Sequence, residues 1–201
     1  MLCTLQDIKT RLGLGGVTDT EYDDIITSII SGVDSIFDSR TGRTLIAPDD
    51  DVTETCTGMG RYLALRAYPV ISITSIIESY DHDFTTGNIL TAGTDFWQLS
   101  GGRNGIVYRA NSSWLSLPDC IQVVYRAGYC GAGVTPEAGE HALPDDLREA
   151  AIEQVSLIFK RRDDIGLSSH GFDGGSIDKF QQVQLLPLVK QTLKKYERPS
   201  L

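Results

Sequence analysis

The order of apolar and polar residues divides the chain into a helical start, a strand-rich middle and a helical end. A first short helix is predicted between Thr4, which can cap it, and Gly13, which can end it. Its apolar face consists of Leu5, Ile8 and Leu12. A one-sided face of this kind indicates that the helix packs against another element.

A longer second helix is predicted next. Thr18 and Glu21 have the spacing of a capping box, in which each side chain satisfies a free amide at the helix start. Gly42 is expected to end this helix. Apolar residues recur with a period of 3.6 on one broad face, which must be buried: Ile25, Ile26, Ile29, Ile30, Val33, Ile36 and Phe37.

Between residues 52 and 126 the pattern changes to short β-type runs separated by turn residues. The strongest strand signal is VISITSIIES after Pro69, which is rich in β-branched residues. Its predicted apolar face contains Ile71, Ile73 and Ile77, and that of IQVVYRAGY contains Ile121, Val123 and Tyr125. Because no helix separates the strands, we expect an antiparallel meander.

A third helix follows Pro144, which suits a first helical position, and its apolar positions are Leu147, Ala151, Val155 and Ile158. Residues 160–162 are basic and are interpreted as the end of this helix, where positive charge is stabilising. Residues 166–183 are rich in Gly and Ser at their start and are expected to form a flexible loop.

Residues 184–201 are predicted to form a C-terminal helix or tail with an apolar side and several lysines. An amphipathic helix behind a flexible loop suits docking onto a neighbouring protein, and it equally suits folding back on its own domain. The fold class is therefore α+β: an α-helical bundle (1–46 and 140–165), an inserted antiparallel β-region (47–130), a flexible loop (166–183) and an extended helical tail (184–201).

The formal net charge of −9 argues against a protein that grips DNA, because such proteins neutralise phosphates with a basic surface. The charge is compatible with a channel through which DNA slides. No apolar run approaches the roughly 20 residues that span a bilayer. The N-terminus lacks a signal-peptide pattern, so the protein is expected to stay in the compartment where it is made.

Candidate chemistry is sparse. Asp81, His82 and Asp83 could offer metal ligands, although consecutive residues in a turn rarely converge on one ion. Two tryptophans and three tyrosines could form a base-stacking surface, although core and interface packing is the simpler interpretation: Trp97, Trp114, Tyr62, Tyr108 and Tyr125. Four scattered cysteines are interpreted as buried hydrophobes, with a Cys120–Cys130 bridge left open. No cofactor is expected and no catalytic motif is found.

Three segments occur in a distinctive order: GRYLALRAYPVISITSI, VVYRAGY and LPDDLREAAIEQVSLIFKRR. With two helices and a TGRTL turn before them and a helical tail after them, they resemble the head–tail connector (adaptor) proteins of tailed bacteriophages. The resemblance runs over nearly the whole chain.

The resemblance implies a structural virion protein without enzymatic activity. It implies a homo-oligomeric ring, typically dodecameric, in the virion neck below the portal protein, assembled in the host cytoplasm. The tail would bind the portal, the opposite side would bind a stopper or tail-completion protein, and DNA would pass through the bore without specific binding. The portal-facing candidates implied by position are Leu185, Leu188, Val189, Leu193 and Tyr196.

Three alternatives remain open at this point. The chain could be a stopper or tail-completion protein, which would attach on the tail side. It could be a metal-dependent hydrolase that uses Asp81, His82 and Asp83, or a nucleic-acid-binding module built on the aromatic strands.

Overall fold

A computed structural model describes residues 1–14, 20–162, 169–171, 177–179 and 185–198, with the backbone alone for 169–171 and 177–179. The chain divides into two compact units. The helical unit contains the described residues of Met1–Thr41 and Pro144–Glu197, and the β unit contains Gly42–Leu143 with Arg198. The predicted α+β class is confirmed.

Four helices build the helical unit: α1 (Leu5–Leu12), α2 (Asp23–Thr41), α3 (Asp145–Lys160) and α4 (Pro187–Tyr196). α3 is the central helix, because α1, α2 and α4 all pack against it. Its buried residues consequently cover most of its circumference, and they include the polar side chains of Gln154 and Ser156.

The predicted ends of α1 are confirmed. Thr4 accepts a hydrogen bond from the Asp7 amide, the Asp7 carboxylate accepts one from the Thr4 amide, and Gly13 adopts a left-handed conformation with φ +76°. Arg148 of α3 then forms an ion pair with Asp7 at 2.5 Å, which ties the start of α1 to the central helix. The capping box predicted at Thr18 lies outside the described residues.

The apolar face of α2 is narrower than the sequence predicts. α2 ends at Thr41, followed by Gly42 with φ +69°, as expected. Its core side is formed by Ile26, Ile30, Val33 and Phe37. Ile25 and Ile36 are 44% and 42% exposed, because they lie about a quarter turn away from that side of the helix.

Two antiparallel sheets build the β unit. The larger has the order β1-β7-β3-β4 and contains β1 (Val52–Cys56), β3 (Val70–Glu78), β4 (Asn88–Leu90) and β7 (Ile121–Ala127). The smaller has the order β2-β6-β5 and contains β2 (Tyr62–Ala64), β5 (Phe96–Gln98) and β6 (Ile106–Arg109). Buried residues of both sheets belong to one hydrophobic core.

The predicted meander is wrong in its strand order, although every pairing in these two sheets is antiparallel. β7, the last strand of the larger sheet, inserts between β1 and β3. Its predicted apolar side, Ile121, Val123 and Tyr125, is confirmed as fully buried. The core thus forms around a strand that comes late in the chain, and local spacing contains no information about that pairing.

The predicted apolar side of β3 is right at Ile73, which packs against the core, and wrong at Ile77. Against β7, one extra residue of β3 occurs between Val70 and Ser72 and another between Ile73 and Ser75. Each extra residue moves the following side chains to the opposite face of the sheet. As a result Ile76 and Glu78 are buried, while Ile77 is half-buried.

Two further predictions concern the second half of the chain. Pro144, predicted at the first helical position, occupies instead the N-cap of α3, and the helix begins one residue later at Asp145. Within the segment 166–183 predicted as a flexible loop, the described residues form two short antiparallel strands, β8 (Ser169–Gly171) and β9 (Ile177–Lys179). The other residues of that segment lie outside the described part of the chain.

Candidate interaction surfaces

The C-terminal helix α4 is folded onto its own unit. Val189 is completely buried and Leu193 is 3% exposed, and α4 packs against α3 and α2. Pro187 stands at its first turn, and the Leu186 amide just before it donates to Gln154 Oε1 at 3.0 Å. Gln154 thereby satisfies a backbone donor at the start of α4, a role that only its position on an apolar helix face could have suggested.

Asp146 of α3 binds the C-terminal end of α4. Its carboxylate accepts hydrogen bonds from Tyr196 Oη at 2.5 Å and from Lys195 Nζ at 3.1 Å. Partial burial opposes ionisation of Asp146, but these two hydrogen bonds outweigh it and lower its pKa below the ordinary value of 3.8. The ionised carboxylate is therefore the form that holds α4.

The five residues implied by the resemblance lie on different sides of α4 and its approach. Leu188 is 58% exposed, Leu185 and Tyr196 are half-buried, and Val189 and Leu193 face the helical unit. From the docked helix, Leu188 is the member of this set that is most accessible to a partner protein. Val189 and Leu193 could contact a partner only after α4 had left α3 and α2.

We expect α4 docking to weaken as the pH falls below about 4. Because the pKa of Asp146 is lowered in the folded protein, its stabilisation is present above the unfolded pKa and is lost as the carboxylate is protonated. The Val189 and Leu193 methyl resonances followed against pH would measure this. In Asp146→Asn these resonances should change less with pH. An unchanged pH dependence in that variant would contradict the assignment to Asp146.

The smaller sheet presents a row of aromatic side chains. Tyr62, Tyr108 and Trp97 are directly opposite one another on β2, β6 and β5, and the Tyr62 and Tyr108 ring centroids are 5.5 Å apart. Tyr62 is 55% and Trp97 45% exposed. The structure thus brings together three of the five aromatic residues considered for base stacking, and it buries the other two, Trp114 and Tyr125.

A buried ion pair supports this sheet from its core side. Arg109 Nη2 lies 3.2 Å from Glu78 Oε2, with about a tenth or less of each side chain exposed. The Arg109 guanidinium is also 5.2 Å from the Trp114 ring centroid, and Glu78 Oε1 accepts from the Leu115 amide. The pair therefore connects β6 with β3 and the segment around Trp114, and neither residue was a candidate from the sequence.

The acidic side chains of residues 81–83 form hydrogen bonds within their own turn. Asp81 Oδ1 accepts from Ser79 Oγ at 2.6 Å, and Asp83 accepts from the Thr85 amide and hydroxyl. These hydrogen bonds lower the pKa of both carboxyls. The His82 ring contacts the Pro118 carbonyl oxygen at 2.9 Å. Among the described residues, no three His, Cys, Asp or Glu side chains are grouped so that they could hold a metal ion.

The four cysteines are free thiols, so the Cys120–Cys130 bridge does not form. Three are buried and Cys56 is half-buried. Burial raises the pKa of the Cys3 thiol to about 12, and burial together with a hydrogen bond to Glu140 raises that of Cys130 to about 11. Neither thiol is therefore activated as a nucleophile. In the part of the chain that the structure describes, no helix is long and apolar enough to cross a membrane.

Comparison with solved structures finds chains of similar fold over nearly the whole length of this chain. No family model and no curated protein matches the sequence. A chain in the neck of an empty GTA particle, computed with C6 symmetry, is similar with a TM-score of 0.59 and 17% identity over 97% of this chain and 89% of that one. A chain in the native GTA neck, computed with C12 symmetry, has a TM-score of 0.56 and 14% identity over 90% and 88%.

A chain in the virion of the native gene transfer agent (GTA) particle is similar over 98% of this chain and 89% of that one. Its TM-score is 0.60 and its identity is 17%. At this identity the similarity is one of fold. Because the similarity extends over both units, the chain shares its α+β fold with chains of GTA necks and virions.

Proposed function

We propose that this chain is the subunit of a ring-shaped head–tail adaptor in the neck of a phage-like particle. The supporting observation is the fold similarity over 97–98% of the chain to chains of a GTA neck and virion. The symmetries of the two neck structures, C6 and C12, support a homo-oligomeric ring, and we propose twelve subunits. Its role is structural rather than enzymatic.

In this proposal one side of the ring binds the portal and the other binds a stopper or tail-completion protein. DNA passes through the bore without specific binding, which agrees with the net charge of −9. Assembly takes place in the host cytoplasm, and the finished ring is part of the virion.

The portal-facing element is α4 with the segment just before it. Leu188 makes apolar contact from the docked helix, since it is 58% exposed. Leu185 and Tyr196 border this contact, and Val189 and Leu193 contribute by holding α4 in place. The basis for choosing Leu188 is that its exposed side chain lies on a well-anchored helix, so a partner that covers it removes apolar surface from water.

Electron microscopy of the purified protein mixed with portal rings of the same virus tests the role. We expect an additional ring stacked coaxially on the portal. A folded protein that leaves intact portals bare, and instead attaches to isolated tails, would contradict the adaptor role and identify a tail-side completion protein.

Leu188→Glu is expected to abolish portal binding while the protein keeps its thermal transition, because it buries a charge only in the complex. Ile89→Glu is a matched control, since Ile89 is 69% exposed on the β unit. Portal binding by Leu188→Glu that equals the wild type in co-sedimentation would refute the assignment of Leu188.

A further inference from the structure

The helical unit has a positively charged groove between α2 and α4, which we call the α2–α4 groove. Arg40 of α2 lines one side, and Lys190, Leu193, Lys194 and Glu197 of α4 line the other. The groove encloses about 200 Å³. With three positive side chains and one negative one, its formal charge is +2 in a chain whose net charge is −9.

The three cations of the groove are not neutralised within the described residues. Arg40, Lys190 and Lys194 are exposed and have no ion pair or side-chain hydrogen bond there. Four other cations of this unit behave differently: Lys9, Arg11, Arg148 and Lys195 each form an ion pair with a carboxylate. Three like charges around one groove repel each other, so an anionic group placed between them would be favoured.

The border of the groove is apolar, which favours a protein ligand over a nucleic acid. Ile36 precedes Arg40 by one helical turn on the same side of α2 and is 42% exposed. Gly32, half-buried Ile29 and exposed Ile25 continue this side without a charge. Contacts to a phosphate backbone require mainly cations and polar donors, whereas protein interfaces combine an apolar centre with a charged rim.

The chain itself has a matching acidic segment. Asp49, Asp50 and Asp51 are its only run of three consecutive acidic residues, and all three are exposed on the β unit. Asp51 accepts from the Thr74 hydroxyl, and the Pro48 carbonyl accepts from Arg126 Nε at 3.1 Å, so the loop is anchored at both ends. Asp49 and Asp50 have no ion-pair partner among the described residues.

We propose that the α2–α4 groove of one copy binds the carboxylates of Asp49 and Asp50 of the next copy in the ring. The proposal rests on the ring function proposed above. The groove and the acidic loop belong to different units, so the contact joins two different patches, as a closed ring of head-to-tail contacts requires. The Ile25–Ile36 side of α2 then becomes covered at the same interface.

Charge reversal tests this contact. Lys190→Glu/Lys194→Glu should eliminate rings in mass photometry and electron microscopy, and Asp49→Lys/Asp50→Lys should do the same, because each variant faces like charge with like charge. The matched control is Lys160→Glu/Arg103→Glu, which changes the net charge equally at two exposed cations outside the groove and should keep its rings. Circular dichroism establishes that each variant is folded.

Mixing the two ring-deficient variants gives the decisive result. In the mixture, the unchanged groove of one variant meets the unchanged loop of the other, and the reversed groove meets the reversed loop, so alternating rings should form. No effect within a single chain would produce that rescue. If Lys190→Glu/Lys194→Glu still forms rings, the groove is not a contact between subunits. If the mixture forms no rings, the groove does not bind residues 49–51.

Different outcomes would contradict the proposed ring function and the proposed groove contact. A folded wild-type protein that forms no ring, alone or with portal, contradicts the proposed function. Wild-type rings that are indifferent to charge reversal contradict only the contact. Rings that contain the groove contact should also dissociate as salt is raised, since the charges lie at the surface.

Discussion

Arg109→Met is expected to lower the free energy of unfolding of the β unit by about 3–5 kcal/mol. The substitution leaves the Glu78 side chain, of which 8% is exposed, without the guanidinium that lies 3.2 Å from its carboxylate. It also removes the cation from beside the Trp114 ring. A buried charge that loses its partner costs far more than the pair contributes, because its hydration is not regained.

Urea unfolding followed by tryptophan fluorescence measures this effect, since both tryptophans, Trp97 and Trp114, belong to the β unit. Glu78→Leu/Arg109→Met should recover most of the loss, because an apolar pair leaves no buried charge. Arg103→Met, at an exposed arginine, is the control and should change stability by less than about 0.5 kcal/mol. A double variant as unstable as Arg109→Met would contradict the buried-charge explanation.

Leu193→Ala should destabilise the helical unit by about 2–5 kcal/mol, with α4 the first element to detach. Leu193 is 3% exposed where α4 packs on the unit, so the truncation creates a cavity under the helix. Leu188→Ala, five residues earlier and on the exposed side of the helix, should be within about 0.5 kcal/mol of the wild type. Hydrogen exchange of the α4 amides measures both variants.

This pair of variants also distinguishes two causes of weaker portal binding: detachment of α4 and loss of a direct contact. Leu193→Ala should weaken portal binding indirectly, because a helix that is partly detached must be reordered when it binds. Leu188→Ala should weaken it without changing hydrogen exchange in α4. If Leu193→Ala left the exchange of α4 unchanged, the packing described for this helix would be wrong.

Docking of α4 on its own unit gives the proposed adaptor a preformed portal contact. Gln154 holds the start of the helix, Asp146 holds its end, and Val189 and Leu193 fill the space between. A preformed helix loses less conformational entropy on binding than a flexible tail. The same anchoring places Lys190 and Lys194 beside Arg40, so one helix serves both proposed contacts.

The local sequence was sufficient to predict those features in which each interaction spans only a few residues. The Thr4 cap, Gly13, the end of α2 before Gly42 and the alternating burial of β7 follow from spacing alone. A cap satisfies backbone groups within one turn, and alternation requires only that one face of the strand be buried. The α+β class follows from the same local patterns.

Tertiary structure alone decided which elements meet. The insertion of β7 between β1 and β3, and the extra residues that turn Ile76 and Glu78 toward the core, depend on pairings 43 or more residues apart in sequence. Three other features are equally non-local. They are the Glu78–Arg109 ion pair, the hydrogen bond from Tyr196 to Asp146, and the groove that brings Arg40 together with Lys190 and Lys194. In each case the free energy comes from contacts between segments that are distant in sequence, so no periodicity along the chain reveals them.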